Sequence, residues 1–135
     1  MKPQHKEILI KNLIYKCDTA LEDAKLALDN NRLDNAQNRI YYAIFYIVSA
    51  LGYKNDFITS KHGQLMGWFN KNFIKDGIFD IKYGEIYKKT YEYRKKSDYE
   101  FTYKPVKEKV EKLFEETSEF IEIIKKEVCK TDKEF

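Results

Sequence analysis

Residues that break helices are scarce in this sequence, with two Pro and five Gly among 135 residues. Few sharp turns are available, which argues against many short strands and for long helices. Cysteine is equally scarce. Cys17 and Cys129 stand near opposite ends, without metal-ligand spacing or the density of a disulfide scaffold, and read as free thiols. The longest nearly apolar run, Ile40 to Leu51, falls well short of the ~20 residues that span a bilayer. No apolar stretch follows the first residues as a secretory signal requires. A cytoplasmic chain without membrane contact is therefore expected. Neither charge dominates: 25 Lys and Arg against 22 Asp and Glu leave a formal net charge of +3, too little to mark a nucleic-acid binder by itself.

What the sequence does hold is helical periodicity, and it predicts a single all-α domain over residues 1–135, with a core spanning about 5–128. From Gln4 to Asn30, the residues Ile10, Leu13, Ile14, Cys17, Ala20, Leu21, Ala24 and Leu28 form one apolar stripe. A second helix runs from Leu33 to Leu51 and ends near Gly52. Its stretch Ile40 to Val48 is apolar or aromatic all round, so protein must surround it, and a second subunit is expected to help. After a loop over Tyr53 to Thr59, either Thr59 or Ser60 caps a third helix whose core face carries Leu65, Trp68, Phe69 and Phe73. A fourth helix spans Asp80 to Ser97, with Tyr83, Tyr87 and Tyr91 in line. Pro105 suits the first turn of a fifth, which carries Val106, Val110, Leu113, Phe114, Phe120, Ile121, Ile124 and Val128. The chain from Thr131 onward is expected to fray. Short loops between antiparallel helices make an up-and-down four- or five-helix bundle.

Standard catalytic signatures are missing. There is no glycine-rich phosphate loop, no nucleophile elbow and no Glu-x-x-His for a di-iron centre, so neither metal nor cofactor is called for. Three other features bear on function. Arg39 shares a helical face with Tyr42 and Tyr46; beside a buried segment it needs an acidic or carbonyl partner, or it lines a phosphate pocket. Lys61 and His62 open the third helix, where free N–H groups attract anions, although polar residues are common at helix starts. Between Lys82 and Lys104, six Tyr residues interleave with Lys and Arg. Such a pattern suits nucleic acid, or simply a tyrosine stripe in the core. Within it, Arg94 and Asp98 stand four apart and meet on one face. The Lys/Glu-rich fifth helix reads as a solvated face.

The run Asn38-Arg39-Ile40-Tyr41-Tyr42-Ala43-Ile44-Phe45, then Ser60-Lys61-His62-Gly63, then Phe69 and Phe73, then Arg94-Lys95-Lys96-Ser97-Asp98-Tyr99, together resemble the HEPN (higher eukaryote and prokaryote nucleotide-binding) family. The likeness is to its small stand-alone prokaryotic branch with an R-x-x-x-D-Y signature. It implies a dimerising up-and-down bundle, often the helical partner of a minimal nucleotidyltransferase in a toxin–antitoxin or defence module. Many members are metal-independent RNases carrying R-x(4–6)-H, with two sites facing each other across the dimer. Arg94 matches that arginine, Tyr99 occupies the histidine slot, and no His follows. A phenol with its usual pKa near 10 is about 99.9% protonated at neutral pH and is a poor base. Nucleotide or RNA binding is therefore expected ahead of cleavage. Arg94 and Lys61 would engage phosphate, Asp98 would hold Arg94, Tyr99 would face the ligand, and Arg39, Tyr42 and His62 would contribute further contacts. The alternatives are an endoribonuclease toxin using Arg94 with Tyr99 or His62, and a structural protein-interaction module.

Overall fold

Apolar residues recurring every three and four positions fold here into five α-helices, with no strand among the described residues, 2–131 of the computed structural model. They are α1 (Pro3–Asp29), α2 (Leu33–Lys54), α3 (His62–Phe69), α4 (Ile81–Tyr99) and α5 (Lys107–Cys129). The result is the expected all-α up-and-down bundle. The expected fraying from Thr131 onward lies, beyond Thr131 itself, outside the described residues.

The ends of α1 and α2 close by one device. Asn31 and Asp56 take left-handed backbone, at φ 58° and 60°. Arg32 N then donates to Ala27 O, and Phe57 N to Gly52 O, both at 2.8 Å. These bonds satisfy carbonyls that a helix end otherwise leaves orphaned. The second helix therefore extends to Lys54, past the expected stop near Gly52. Gly52 sits inside the last turn because a Cβ there would lie 2.5 Å from the returning Phe57 carbonyl oxygen.

Three other boundaries differ from the sequence reading. α3 begins at His62, so neither Thr59 nor Ser60 is its cap residue; the Thr59 hydroxyl instead accepts from Lys61 N at 3.1 Å and donates to Gln64. α3 runs on into a wider π-helical turn, Asn70–Ile74, which turns Phe73 into the core. Pro105 precedes α5 because Val106 is extended, at φ −99° and ψ 123°, and that side chain is exposed.

α2 is the axis of the bundle and packs against α1, α3, α4 and α5. The chain itself thus buries Ile40, Tyr41, Ala43, Ile44, Ile47 and Val48 completely. Six of the nine residues in this run therefore need no second subunit to cover them. What stays half-buried is one strip on α2: Tyr42, Phe45 and Tyr46. The α4 tyrosine stripe divides in the same way: Tyr83 and Tyr87 are core, whereas Tyr91 is half-buried beside that strip. No described helix is long and apolar enough to cross a membrane. Cys17 and Cys129 are free thiols, and burial pushes the Cys17 thiol up to about 12.

Candidate functional site

Tyr41 is completely buried, yet it is a tyrosine rather than a phenylalanine, so its hydroxyl needs a partner inside the protein. That partner is His62, the first residue of α3, whose Nδ1 lies 2.5 Å from Tyr41 Oη. The imidazole stacks on Phe45, with ring centroids 4.3 Å apart, and on Tyr41 at 5.5 Å. Burial, and then the charge of Arg94, lower the His62 pKa, so the ring is held unprotonated near neutrality.

Arg94 reaches the same tyrosine from α4. Its Cζ stands 4.7 Å from the ring centroid of Tyr41, 5.7 Å from Tyr42 and 5.8 Å from Tyr91. A cation over a ring face is attracted by the ring quadrupole, and here three rings hold one guanidinium. Nη1 donates to Asp98 at 3.2 Å, the expected pairing one turn along the helix. The Arg94 side chain is only 12% exposed. Its Nε is buried without a partner among the described residues, leaving the fork incompletely satisfied.

Arg39 also approaches Tyr42, with Cζ 5.2 Å from the ring centroid. Its partner is the amide carbonyl of Asn38, at 3.1 and 2.9 Å from Nε and Nη2. The carbonyl alternative thus holds, and no carboxylate pairs with Arg39 among the described residues. Arg39, Tyr42, His62, Arg94 and Asp98 form one continuous cluster, joined through Tyr41 and Tyr42. Lys61 stands at its edge, exposed, in the position that precedes α3.

Tyr99 is not brought into the cluster. Five residues beyond Arg94, it lies about 140° around the helix at 3.6 residues per turn, and it is 69% exposed. The histidine slot of the linear motif therefore points away, and the histidine beside Arg94 comes from a different helix.

Two contributors are not apparent in the sequence. Tyr41 reads as one more apolar position in its run; the signal is a hydroxyl where helical periodicity demands full burial. Gln37, 1% exposed, locks the end of α4 to α2. Its Nε2 donates to Tyr93 O at 3.2 Å and Ser97 Oγ at 2.6 Å, and its Oε1 accepts from Tyr103 Oη at 3.2 Å. Arg94 sits in the turn so held. A buried amide with every bond met rigidifies its surroundings.

No three His, Cys, Asp or Glu side chains gather as a metal site among the described residues. Chemically, the cluster offers one cation framed by rings, a second arginine, an imidazole and a half-buried aromatic strip.

Comparison with known proteins supplies a family. The HEPN domain family model matches residues 10–128. A "UPF0332 protein" of Thermotoga maritima is 37% identical over 121 residues, covering 90% of this chain and 92% of its own length. Two proteins of Methanocaldococcus jannaschii are similar. "Putative toxin MJ0605" is 34% identical over 117 residues, 87% of each chain. "Putative toxin MJ0142" is 32% identical over 117 residues, 87% of this chain and 80% of its own.

Proposed function

The chain belongs to the HEPN domain family, and from that premise we propose that it is a toxin-type RNA- or nucleotide-binding protein whose principal phosphate contact is Arg94. The observation that carries this reading is the guanidinium held over Tyr41, Tyr42 and Tyr91 with one edge on Asp98. Phosphates want cations, and bases stack on aromatic faces. Arg39, also beside Tyr42, continues the positive track. Lys61, at the exposed start of α3, adds a further cation at the edge.

The names of the two M. jannaschii relatives support a toxin role. In that role the chain works as a cytoplasmic homodimer whose half-buried strips bring two sites together. A minimal nucleotidyltransferase is the partner that restrains it.

One observation favours a second reading, cleavage of the RNA. His62 and Arg94 share the Tyr41 ring, and the imidazole is unprotonated near neutrality. An imidazole is the side chain best suited to take the proton of a ribose 2′-OH at such pH.

Purified protein with labelled oligouridylate, without metal, separates the two. Binding that weakens as salt rises, and at least several-fold on Arg94→Ala, with RNA left intact, is the expected result. Brisk cleavage to cyclic-phosphate ends that requires both Arg94 and His62 would put the enzyme in place of the binder. Affinity indifferent to salt and to Arg94→Ala removes the site.

A further inference from the structure

We infer that Tyr41 is a positioning residue: its hydroxyl donates to Nδ1 of His62, fixes the imidazole with its proton on Nε2, and so gives the Arg94 site a second hydrogen-bond donor for a phosphodiester oxygen. The ligand half of this inference rests on the proposed RNA-binding function.

The contact between Tyr41 Oη and His62 Nδ1 at 2.5 Å allows two assignments. In one, Nδ1–H donates to the phenol oxygen, and the phenol proton must then find another acceptor. Tyr41 is completely buried, and its hydroxyl has no other hydrogen-bond partner among the described residues. A buried O–H without an acceptor is costly. In the other, the phenol donates to a bare Nδ1, and every proton is placed. Burial pushes the Tyr41 phenol pKa up while burial and Arg94 push that of His62 down, so the phenol keeps its proton and the imidazole stays neutral. A neutral imidazole carries one proton, and with Nδ1 bare it sits on Nε2.

The groups facing the pair agree with this assignment. On α2 they are Tyr42 and Phe45; on α4 they are Tyr87, Tyr91 and Arg94, the last paired with Asp98. Lys61 precedes His62 in the chain. Arg94 and Lys61 are cations, and no carboxylate bonds directly to the imidazole among the described residues to stabilise a charged ring. One buried tyrosine thus aligns the whole site, holding the imidazole by a hydrogen bond and the guanidinium by its ring face. The consequence bears on chemistry. An Nε2–H is a donor, not a base, and reversing the tautomer would strand the Tyr41 proton. The arrangement binds phosphate and disfavours removal of a 2′-OH proton.

The test uses the full nitrogen-15-labelled chain and two-bond proton–nitrogen correlation of its imidazoles, with exposed His5 as internal reference. In wild type, His62 should carry its proton on Nε2. In Tyr41→Phe that preference should vanish and the His62 midpoint should rise, because a hydrogen bond favouring the neutral form is gone. Affinity for labelled oligouridylate above neutral pH should drop by roughly fivefold, the scale of one lost hydrogen bond, and recover in part in acid, where an imidazolium donates from both nitrogens. Should Tyr41→Phe not fold, His62→Gln, whose amide donates from the Nε2 position, should recover most of the affinity that His62→Ala loses. A wild-type proton on Nδ1, or a tautomer and midpoint untouched by Tyr41→Phe, overturns the inference. If His62→Ala binds like wild type while Arg94→Ala does not, the donor role is wrong and the proposed function stands. If wild type binds no RNA, the function falls, and the ligand half of this inference with it.

Discussion

Replacing Gln37 with leucine tests whether the site depends on the clamp beneath it. Leucine is apolar and one bond shorter than glutamine, and it leaves three groups without their partner: the Tyr93 carbonyl, the Ser97 hydroxyl and the Tyr103 hydroxyl. They do not count equally. The Tyr93 carbonyl lies inside α4 and keeps its helical bond, so it loses least. Ser97 and Tyr103 are half-buried, and water can partly replace what they lose. The 2.6 Å bond to Ser97 Oγ is the main loss, and the 3.2 Å bond from Tyr103 is the lesser one. At about 1 kcal/mol net per bond, with a further penalty for a poorly solvated hydroxyl, the sum is about 2 kcal/mol. For a domain of this size that lowers the melting temperature by roughly 4–8 °C. The loss is local: α4 loosens over the turn that carries Arg94. RNA affinity should therefore fall several-fold although no residue of the aromatic cluster has changed. Urea denaturation and fluorescence anisotropy on the same preparation provide both numbers. A Gln37→Leu protein as stable as wild type within about 0.5 kcal/mol, or one that is destabilised yet binds RNA with unchanged affinity, refutes the clamp.

Three further outcomes are expected. Arg94→Lys keeps the charge but loses the planar fork that fits three rings, so affinity should drop several-fold while its dependence on salt keeps the same slope; a changed slope in anisotropy titrations would contradict this. Light scattering at micromolar concentration should give about twice the 16.2 kDa chain mass, since the strip of Tyr42, Phe45 and Tyr46 remains for a partner to cover, and a clean monomer would rule it out. The His62 pKa is depressed in the folded state, so the unfolded chain binds its proton first as pH falls. The His62 contribution to stability should be constant above its ordinary value near 6.5, then decline as pH drops toward the folded midpoint. His62→Gln should flatten that part of the urea-midpoint profile, and an unchanged profile would show that the ring is not held neutral.

Much of the fold was legible along the chain because helix period and core face are local properties. The α1 stripe, the α2 run and the α5 face each repeat every three or four residues, and each buries the side that repeats. Boundaries were less legible. The stop of α2 moved from Leu51 to Lys54 because a left-handed Asp56 and the Phe57–Gly52 bond close the end three residues later. Neither α3 nor α5 starts where a Thr59 or Ser60 cap or Pro105 suggested, since the backbone stays extended through Lys61 and Val106. Ile40, Tyr41, Ala43, Ile44, Ile47 and Val48 are covered by their own chain; a stripe cannot tell how many helices of its own chain surround it.

The sequence by itself determined the class of the fold, the family and the pairing of Arg94 with Asp98, all of which follow from residue types at fixed short spacings. It could not determine which histidine accompanies that arginine. A linear motif looked five residues ahead and found Tyr99, which helical geometry turns to solvent. Only the packing of α3 and α4 on the central α2 places His62, 32 residues upstream, on the ring that also carries Arg94. Proximity across helices depends on where three apolar faces meet, and no single segment encodes that meeting point.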